Sequence, residues 1–202
     1  MTRNAKQRKT RDDLLSAAGT LLREVGYGGL STRKVAETAG VPLSQIHYHF
    51  GSMQGLLLAL LEVENDRLLD RQTAMYESDR PLSEKWVMAC RYLHDDLESG
   101  YVRVLHEMMY AALSDVEIRH RIQQQLDGWK DLLTSVAQQA IDRYGPIGPF
   151  TAGELGILVG QSFLGLETLL LLDAVKASED GYNAICKIGG LIAEMERRAG
   201  DG

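Results

Sequence analysis

Ala36, Gly40 and Ile46 stand four and six residues apart in the stretch STRKVAETAGVPLSQIHYHF, residues 31–50. This spacing limits the fold more than any other feature of the chain. Two short helices that cross through a tight turn need a small side chain where they touch. They also need a glycine where the backbone turns, and a branched side chain to plug the gap. An αα-corner asks for the same three residues, so packing alone leaves a helix-turn-helix and a plain corner open.

The surrounding pattern is helical nearly throughout. Leu14, Ala18, Leu21 and Val25 fall at helical spacing, widened by Leu15 and Leu22, and Gly26 suits a helix end. Ser31 or Thr32 can cap a short helix that Gly40 stops; Pro42 marks the next start, and Ser52 precedes a long apolar pattern running toward Met75. Further breaks are expected at 78–81, Gly100, 114–115, 145–149 and "SEDG" at 178–181. No stretch shows sustained β alternation and no repeat is visible. The reading is all-α: a head of three small helices over 1–51, then a larger helical body over 52–202, with about nine helices in all.

The residues of the second short helix that packing does not need are Leu43, Ser44, Gln45, His47 and Tyr48. A solvated helix usually spends such positions on Lys and Glu. Here they are neutral hydrogen-bonders, aromatic rings and an apolar tip, with no acid to repel phosphate. A helix in a DNA major groove can use that set: Gln pairs with adenine, and Leu touches a thymine methyl. Thr32, Arg33 and Lys34 open the preceding helix, where free N–H groups favour phosphate. Charge agrees. Residues 1–50 hold eight Lys and Arg against four Asp and Glu, a net +4, which leaves −10 on the remainder of a chain whose net charge is −6. A basic head on an acidic body suits a polyanion partner for the head alone.

Residues 10–61 resemble the DNA-binding head of the tetracycline-repressor (TetR) family of bacterial transcription regulators. The resemblance rests on Gly26-Tyr27, Ser31-Thr32, Val35-Ala36, Ala39-Gly40-Val41, Tyr48-His49-Phe50 and Ser52. It implies that Thr32 and Tyr48 hold phosphates, that Arg33 reaches a guanine, that Leu43, Ser44 and Gln45 meet base edges, and that His47 keeps a backbone contact. It further implies a homodimeric repressor on a palindromic operator, released by a small effector. Met53 stands where the family usually carries a phosphate-binding lysine, which weakens non-specific affinity. Ser44 and Pro42-Leu43 also depart from the family pattern and leave the operator sequence open.

Expectations for the body rest on less. Trp86, Cys90, His106, Met109, Tyr110, Trp129, Phe163 and Glu167 are candidate effector contacts, because Met, Trp and Tyr walls with few polar handles suit a mostly apolar ligand. The apolar run 155–172 is long enough to suggest a membrane span. Gln161, Ser162, Glu167 and Thr168 argue instead for a covered helix, one face on its own body and the other on a twin subunit. Dimerisation is therefore expected through about 151–173 and 182–198, as in the family. Only Cys90 and Cys186 occur, without metal spacing, and no apolar run follows the basic N-terminus, so a cytoplasmic protein is expected. His47 and His49 point to different faces, "HDD" at 94–96 has no matching partner, and Glu117-x-x-His120 is one half of a di-iron pattern. No catalytic residue, metal or cofactor is expected. The alternative, a helical-bundle enzyme or cofactor-binding protein with an unrelated basic arm, would need a polar constellation that the body does not offer.

Overall fold

The structure is a computed structural model that describes residues 3–200. These form helices α1 (Arg3–Val25), α2 (Thr32–Thr38), α3 (Ser44–Phe50), α4 (Met53–Glu77), α5 (Leu82–Glu98), α6 (Tyr101–Ala112), α7 (Val116–Tyr144), α8 (Ala152–Leu171) and α9 (Val175–Gly200). A 3-10 turn spans Tyr27–Gly29. There is no strand among the described residues, as the periodicity requires.

Two compact units result. One takes the chain up to Asp66 together with Asp96–Ile122; the other takes Arg67–Asp95 together with the chain from Gln123 onward.

In the first unit, Leu14, Ala18, Leu21 and Leu22 form the buried stripe of α1, and α2 and α3 pack on that helix. α1 starts well before the apolar stripe. Its first two turns hold Ala, Lys, Gln and Arg, all good helix formers, and Lys9 pairs with Asp13 one turn on at 2.7 Å. The basic segment is therefore helical over the described residues, not an extended tail. Gly26 (φ 67) ends α1, and Gly100 (φ 81) turns the chain into α6. A Cβ at Gly100 would come within 3.0 Å of Leu22 Cγ. The Tyr101 hydroxyl donates to Asn65 Oδ1 at 3.2 Å, and Arg121 Nε donates to Glu62 Oε1 at 2.8 Å.

In the second unit the core includes Met75, Tyr76, Trp86, Leu93, Leu133, Phe163 and Ile185. α7 and α8 meet at Gly156, where a Cβ would lie 2.8 Å from Thr134 Oγ1 and 2.9 Å from Thr134 N. Gly160 faces Leu133 and Trp129. α5 and α9 are joined by Trp86 Nε1, which donates to Ile185 O at 2.8 Å, and by Gly189, whose bare Cα lets Trp86 Cδ1 approach. "SEDG" proves to be inside α9. Ser178 Oγ donates back to Val175 O and so supports the helix, while the chain breaks earlier, at Asp173 (φ 54). α8 is long and apolar enough to cross a membrane by length and composition alone. Within the unit it buries Gly156, Phe163, Leu166 and Glu167.

Glu196 of α9 caps the start of α5. Its carboxylate accepts from Ser83 N at 3.1 Å and Ser83 Oγ at 2.6 Å, and from the Tyr144 hydroxyl at 3.3 Å. Burial pushes the acid upward, but these bonds outweigh it and hold the carboxyl below its ordinary range. The lowered value means that this stabilisation is complete above the unfolded carboxyl's range and is lost as pH falls through the folded one. Glu196→Ala should cost about 0.5–2 kcal/mol, as other lost caps do, measured by urea unfolding. A change below the error of the titration would remove the capping role.

Candidate nucleic-acid interface

Ser31 sets the start of α2, its Oγ accepting from Lys34 N at 3.2 Å. Thr32, Arg33 and Lys34 form the first turn. Val35 and Ala36 are buried beneath it. The turn then closes through Gly40 N→Glu37 O at 3.1 Å and Val41 N→Ala36 O at 3.0 Å, with Gly40 at φ 66. A β-carbon at that φ costs about 1–2 kcal/mol, which explains the glycine. Ile46 is fully buried on the inner side of α3, so the three residues that defined the spacing in the sequence do meet as a helix-turn-helix.

The outer side of α3 is left to polar and aromatic groups. Ser44 and His47 are exposed, Gln45 is half-buried, and Leu43 just before the helix is 43 % exposed. Tyr48 is 65 % exposed, and its hydroxyl accepts from Gln7 Nε2 of α1 at 3.0 Å. The ring is thus steadied while its face stays open. His47 Nδ1 lies 3.2 Å from Gly51 O, a contact that orients the ring at the end of the helix.

Two cations are already engaged. Arg33 Nε donates to Glu37 Oε1 at 3.0 Å, and both side chains are well exposed. Lys34 Nζ donates to Gly29 O at 2.9 Å, tying α2 to the preceding turn. An exposed pair of this kind is worth under about 1 kcal/mol, so a phosphate or a guanine can compete for Arg33. Of the four head acids, Asp13 and Glu37 are paired with the head's own cations, which leaves α3 facing outward without a carboxylate.

His49 points the other way. Its Nε2 is buried without a hydrogen-bond partner, and the ring meets Tyr48 edge-on at 4.9 Å. Arg11 lies over Phe50 at 5.6 Å. Burial, then the Arg11 charge, lower the His49 pKa from its ordinary 6.5. A His held neutral in the fold stabilises it fully above the unfolded value, and the contribution fades as pH drops below about 6.5. The head should therefore unfold more easily at pH 5 than at pH 7.5. His49→Gln should flatten that slope; an unchanged slope would assign the effect to other groups.

The expected effector residues fall in different places. Trp86, Cys90, Trp129, Phe163 and Glu167 belong to the second unit, and His106, Met109 and Tyr110 to the first. Phe163 stands 6.0 Å from Trp86 and 6.2 Å from Trp129, ring to ring. Trp129 Nε1 donates to Gln72 Oε1 at 3.2 Å. Cys90 is buried beside Cys186, and burial first, then that neighbour, push its thiol up to about 12. Glu167 and His106 are buried, whereas Tyr110 is 68 % exposed. Sequence reasoning missed Gln125, which is buried with both amide atoms unpaired; a lone Gln on a long helix gives no signal of this. Among the described residues no group of three or more His, Cys, Asp or Glu could hold a metal ion, and Glu117 and His120 both lie on the exposed side of α7.

The family model described as bacterial regulatory proteins of the tetR family matches residues 14–60, from mid-α1 into α4. The class A tetracycline repressor from transposon 1721 of Escherichia coli is 47 % identical over 49 residues, 24 % of this chain and 23 % of that protein. An uncharacterised HTH-type transcriptional regulator of Mycobacterium tuberculosis is 30 % identical over 128 residues, 61 % of this chain and 64 % of its own. The chain thus spans less than two thirds of the length of either relative. Among solved structures, it is similar to a transcriptional regulator from Rhodococcus sp. RHA1, with a TM-score of 0.75 at 19 % identity over 92 % of this chain and 97 % of that one. It is also similar to the FadR regulator of Bacillus subtilis in complex with stearoyl-CoA, with a TM-score of 0.60 at 18 % identity over 88 % and 96 %.

Proposed function

We infer that this chain, which belongs to the TetR family of bacterial transcription regulators, is a homodimeric repressor that binds a palindromic operator through α3 and is released by a small, mostly apolar effector. The observation that carries the reading is the outer face of α3. Leu43, Ser44, Gln45, His47 and Tyr48 stand together there with no acid among them, on a helix held rigid from behind by Ile46. Thr32, Arg33 and Lys34 flank it at the start of α2, where the free N–H groups favour phosphate. Head and body divide functionally at 51/52.

Dimerisation uses α8 and α9. Ile157 and Leu158 are each 50 % exposed on one face of α8. On α8, Gln161, Ser162 and Gly165 lie exposed farther along, and a Cβ at Gly165 would meet nothing within 4 Å. Large apolar side chains left open on a long helix suit a second copy of the same surface. Two heads then read two half-sites with centres about one helical turn apart or somewhat more.

The effector is held in the second unit, against the Trp86, Phe163 and Trp129 rings and near Cys90 and Glu167. That the FadR of Bacillus subtilis was solved with stearoyl-CoA supports a ligand with a long apolar part for a body of this fold. α4 leaves the head at Met53 and runs unbroken to Glu77, so it is the element able to carry a ligand-driven shift to the heads. Release follows if the ligand prefers the head spacing that does not match the operator. The protein then works in the cytoplasm and carries out no catalysis.

Arg33→Ala and Gln45→Ala should each cost about 1–3 kcal/mol of discrimination between operator and random DNA. Lys34→Ala should weaken all duplexes alike and flatten the salt dependence. Fluorescence anisotropy on both DNAs at several salt concentrations separates the two patterns. Equal losses on operator and random DNA for all three variants would remove Arg33 and Gln45 from base readout.

A further inference from the structure

The second unit contains a cavity of about 250 Å³ that the aromatic trio does not account for, since only Trp86 belongs to both. Tyr76, Trp86, Leu133 and Ala140 line it and are buried, and α9 adds Ile192 and Met195. No lining residue is charged. The indole N–H of Trp86 is committed to Ile185 O, and burial raises the Tyr76 hydroxyl far above its usual range, so it stays neutral.

The cavity is also framed by fixed contacts. Gly156 against Thr134 sets the α7–α8 distance beside it. Trp86–Ile185 and Ser83–Glu196–Tyr144 hold the α9 segment at both ends of the stretch that lines it. These contacts fix the helix spacing around the space. Leu191, 64 % exposed, stands at the mouth.

We propose that this cavity is a ligand site for an uncharged hydrocarbon of about two fused rings. The size follows from comparison: an apolar cavity of about 150 Å³ stays dry and takes one benzene, and this one is larger by somewhat more than half. The charge restriction holds for any group carried past Leu191, because a carboxylate or ammonium inside the uncharged lining would find no partner for its lost water. The consequence for the operator rests on the effector reading above; the binding itself does not.

The test uses the full chain with naphthalene and 2-naphthoate, which share a ring system and differ in charge. Naphthalene should raise the melting temperature by about 3–6 °C at roughly ten times its Kd, and 2-naphthoate should leave it unchanged. Ala137→Phe places a ring in the lining and should abolish the shift. Should that variant fail to fold, Ala137→Leu fills less and should still weaken naphthalene at least about tenfold, as lost apolar contact area does. No shift in the wild type, an equal shift with 2-naphthoate, or full affinity in the filled variants would each overturn the site. Operator binding is measured alongside. Naphthalene that binds without changing operator affinity confirms the cavity and removes its role as the effector site. An intact operator complex with no naphthalene binding removes the cavity and leaves the DNA reading standing.

Discussion

Ile46→Ala should unfold the head before the rest of the chain loses structure. Ile46 is fully buried, as are Val35 and Leu14. It is the side chain of α3 that is buried in the head, with α2 and α3 both packed on α1. Deleting a buried Ile to Ala costs about 2–5 kcal/mol, the upper end where the site cannot collapse. A helix of seven residues has no stability of its own to fall back on. The residues proposed for base contact would then lose their common face, so operator affinity should fall by more than any single outer substitution causes. Ile46→Val, which keeps the branch, should cost about 0.5–1.5 kcal/mol and retain binding. Urea unfolding of both variants beside operator titrations gives the comparison. An Ile46→Ala protein with unchanged midpoint and affinity would show that α3 is not held from behind.

Gly55→Ala should break the junction between α3 and α4. A Cβ on Gly55 would lie 2.0 Å from Phe50 O and 3.1 Å from Phe50 C. Phe50 is the last residue of α3 and is followed by Gly51 at φ 73. The obstructing atom is backbone, so no rotamer change relieves the clash. Either the last turn of α3 opens or the first turn of α4 shifts. Overpacking of this kind costs about 1–3 kcal/mol, occasionally more. The larger effect is expected on function, because this junction sets the angle at which α4 leaves the head. Gly55→Ala should therefore lose operator affinity beyond what its lower stability explains. Gly28→Ala is the control: a Cβ there meets nothing within 4 Å, and both stability and binding should stay near wild type. Equal behaviour of the two variants would mean that the junction accommodates the extra carbon.

The contrast between these two positions shows what the sequence made legible. Ala36, Gly40 and Ile46 announce their packing because small residue, turn and plug sit close together in the chain, where local periodicity and turn chemistry act. Gly26 and Gly100 were readable for the same reason. Gly55 was not: it lies inside an apolar helical pattern, and its need for a bare Cα comes from a carbonyl that ends a different helix. Glu196 and Ser83 are 113 residues apart, so no window reveals that one caps the other. "SEDG" looks like a break by composition, yet Ser178 bonds into α9, and a Cβ on Gly181 would lie 3.2 Å from Leu166 Cδ1, which places a small residue where two helices touch. The basic opening segment lacked an apolar stripe and so carried no periodic signal, although its intrinsic helix propensity was high.

The proposed DNA site was more legible than the proposed ligand site, and the reason is again locality. Every residue assigned to DNA lies within seventeen positions, 32–48, on two adjoining helices whose buried sides could be read directly. Cavity residues come from five helices, α4, α5, α7, α8 and α9, and from the connection at Ile147. Apolar stripes on those helices look alike whether they face core, cavity or a second copy of the chain. Ile188, Leu191, Ile192 and Met195 illustrate this. All four lie within 182–198, the segment expected from the sequence to join the dimer surface, and in the fold they also line the cavity.

Two copies of α3 reading a two-fold operator would be visible in footprinting and mass measurement on one duplex selected from random DNA by the full chain. The expected result is a palindromic or near-palindromic site, two protected half-sites with centres about one helical turn apart or somewhat more, and two protomers bound per duplex. A single asymmetric half-site protected by one protomer, or selection that yields no shared sequence, would contradict it.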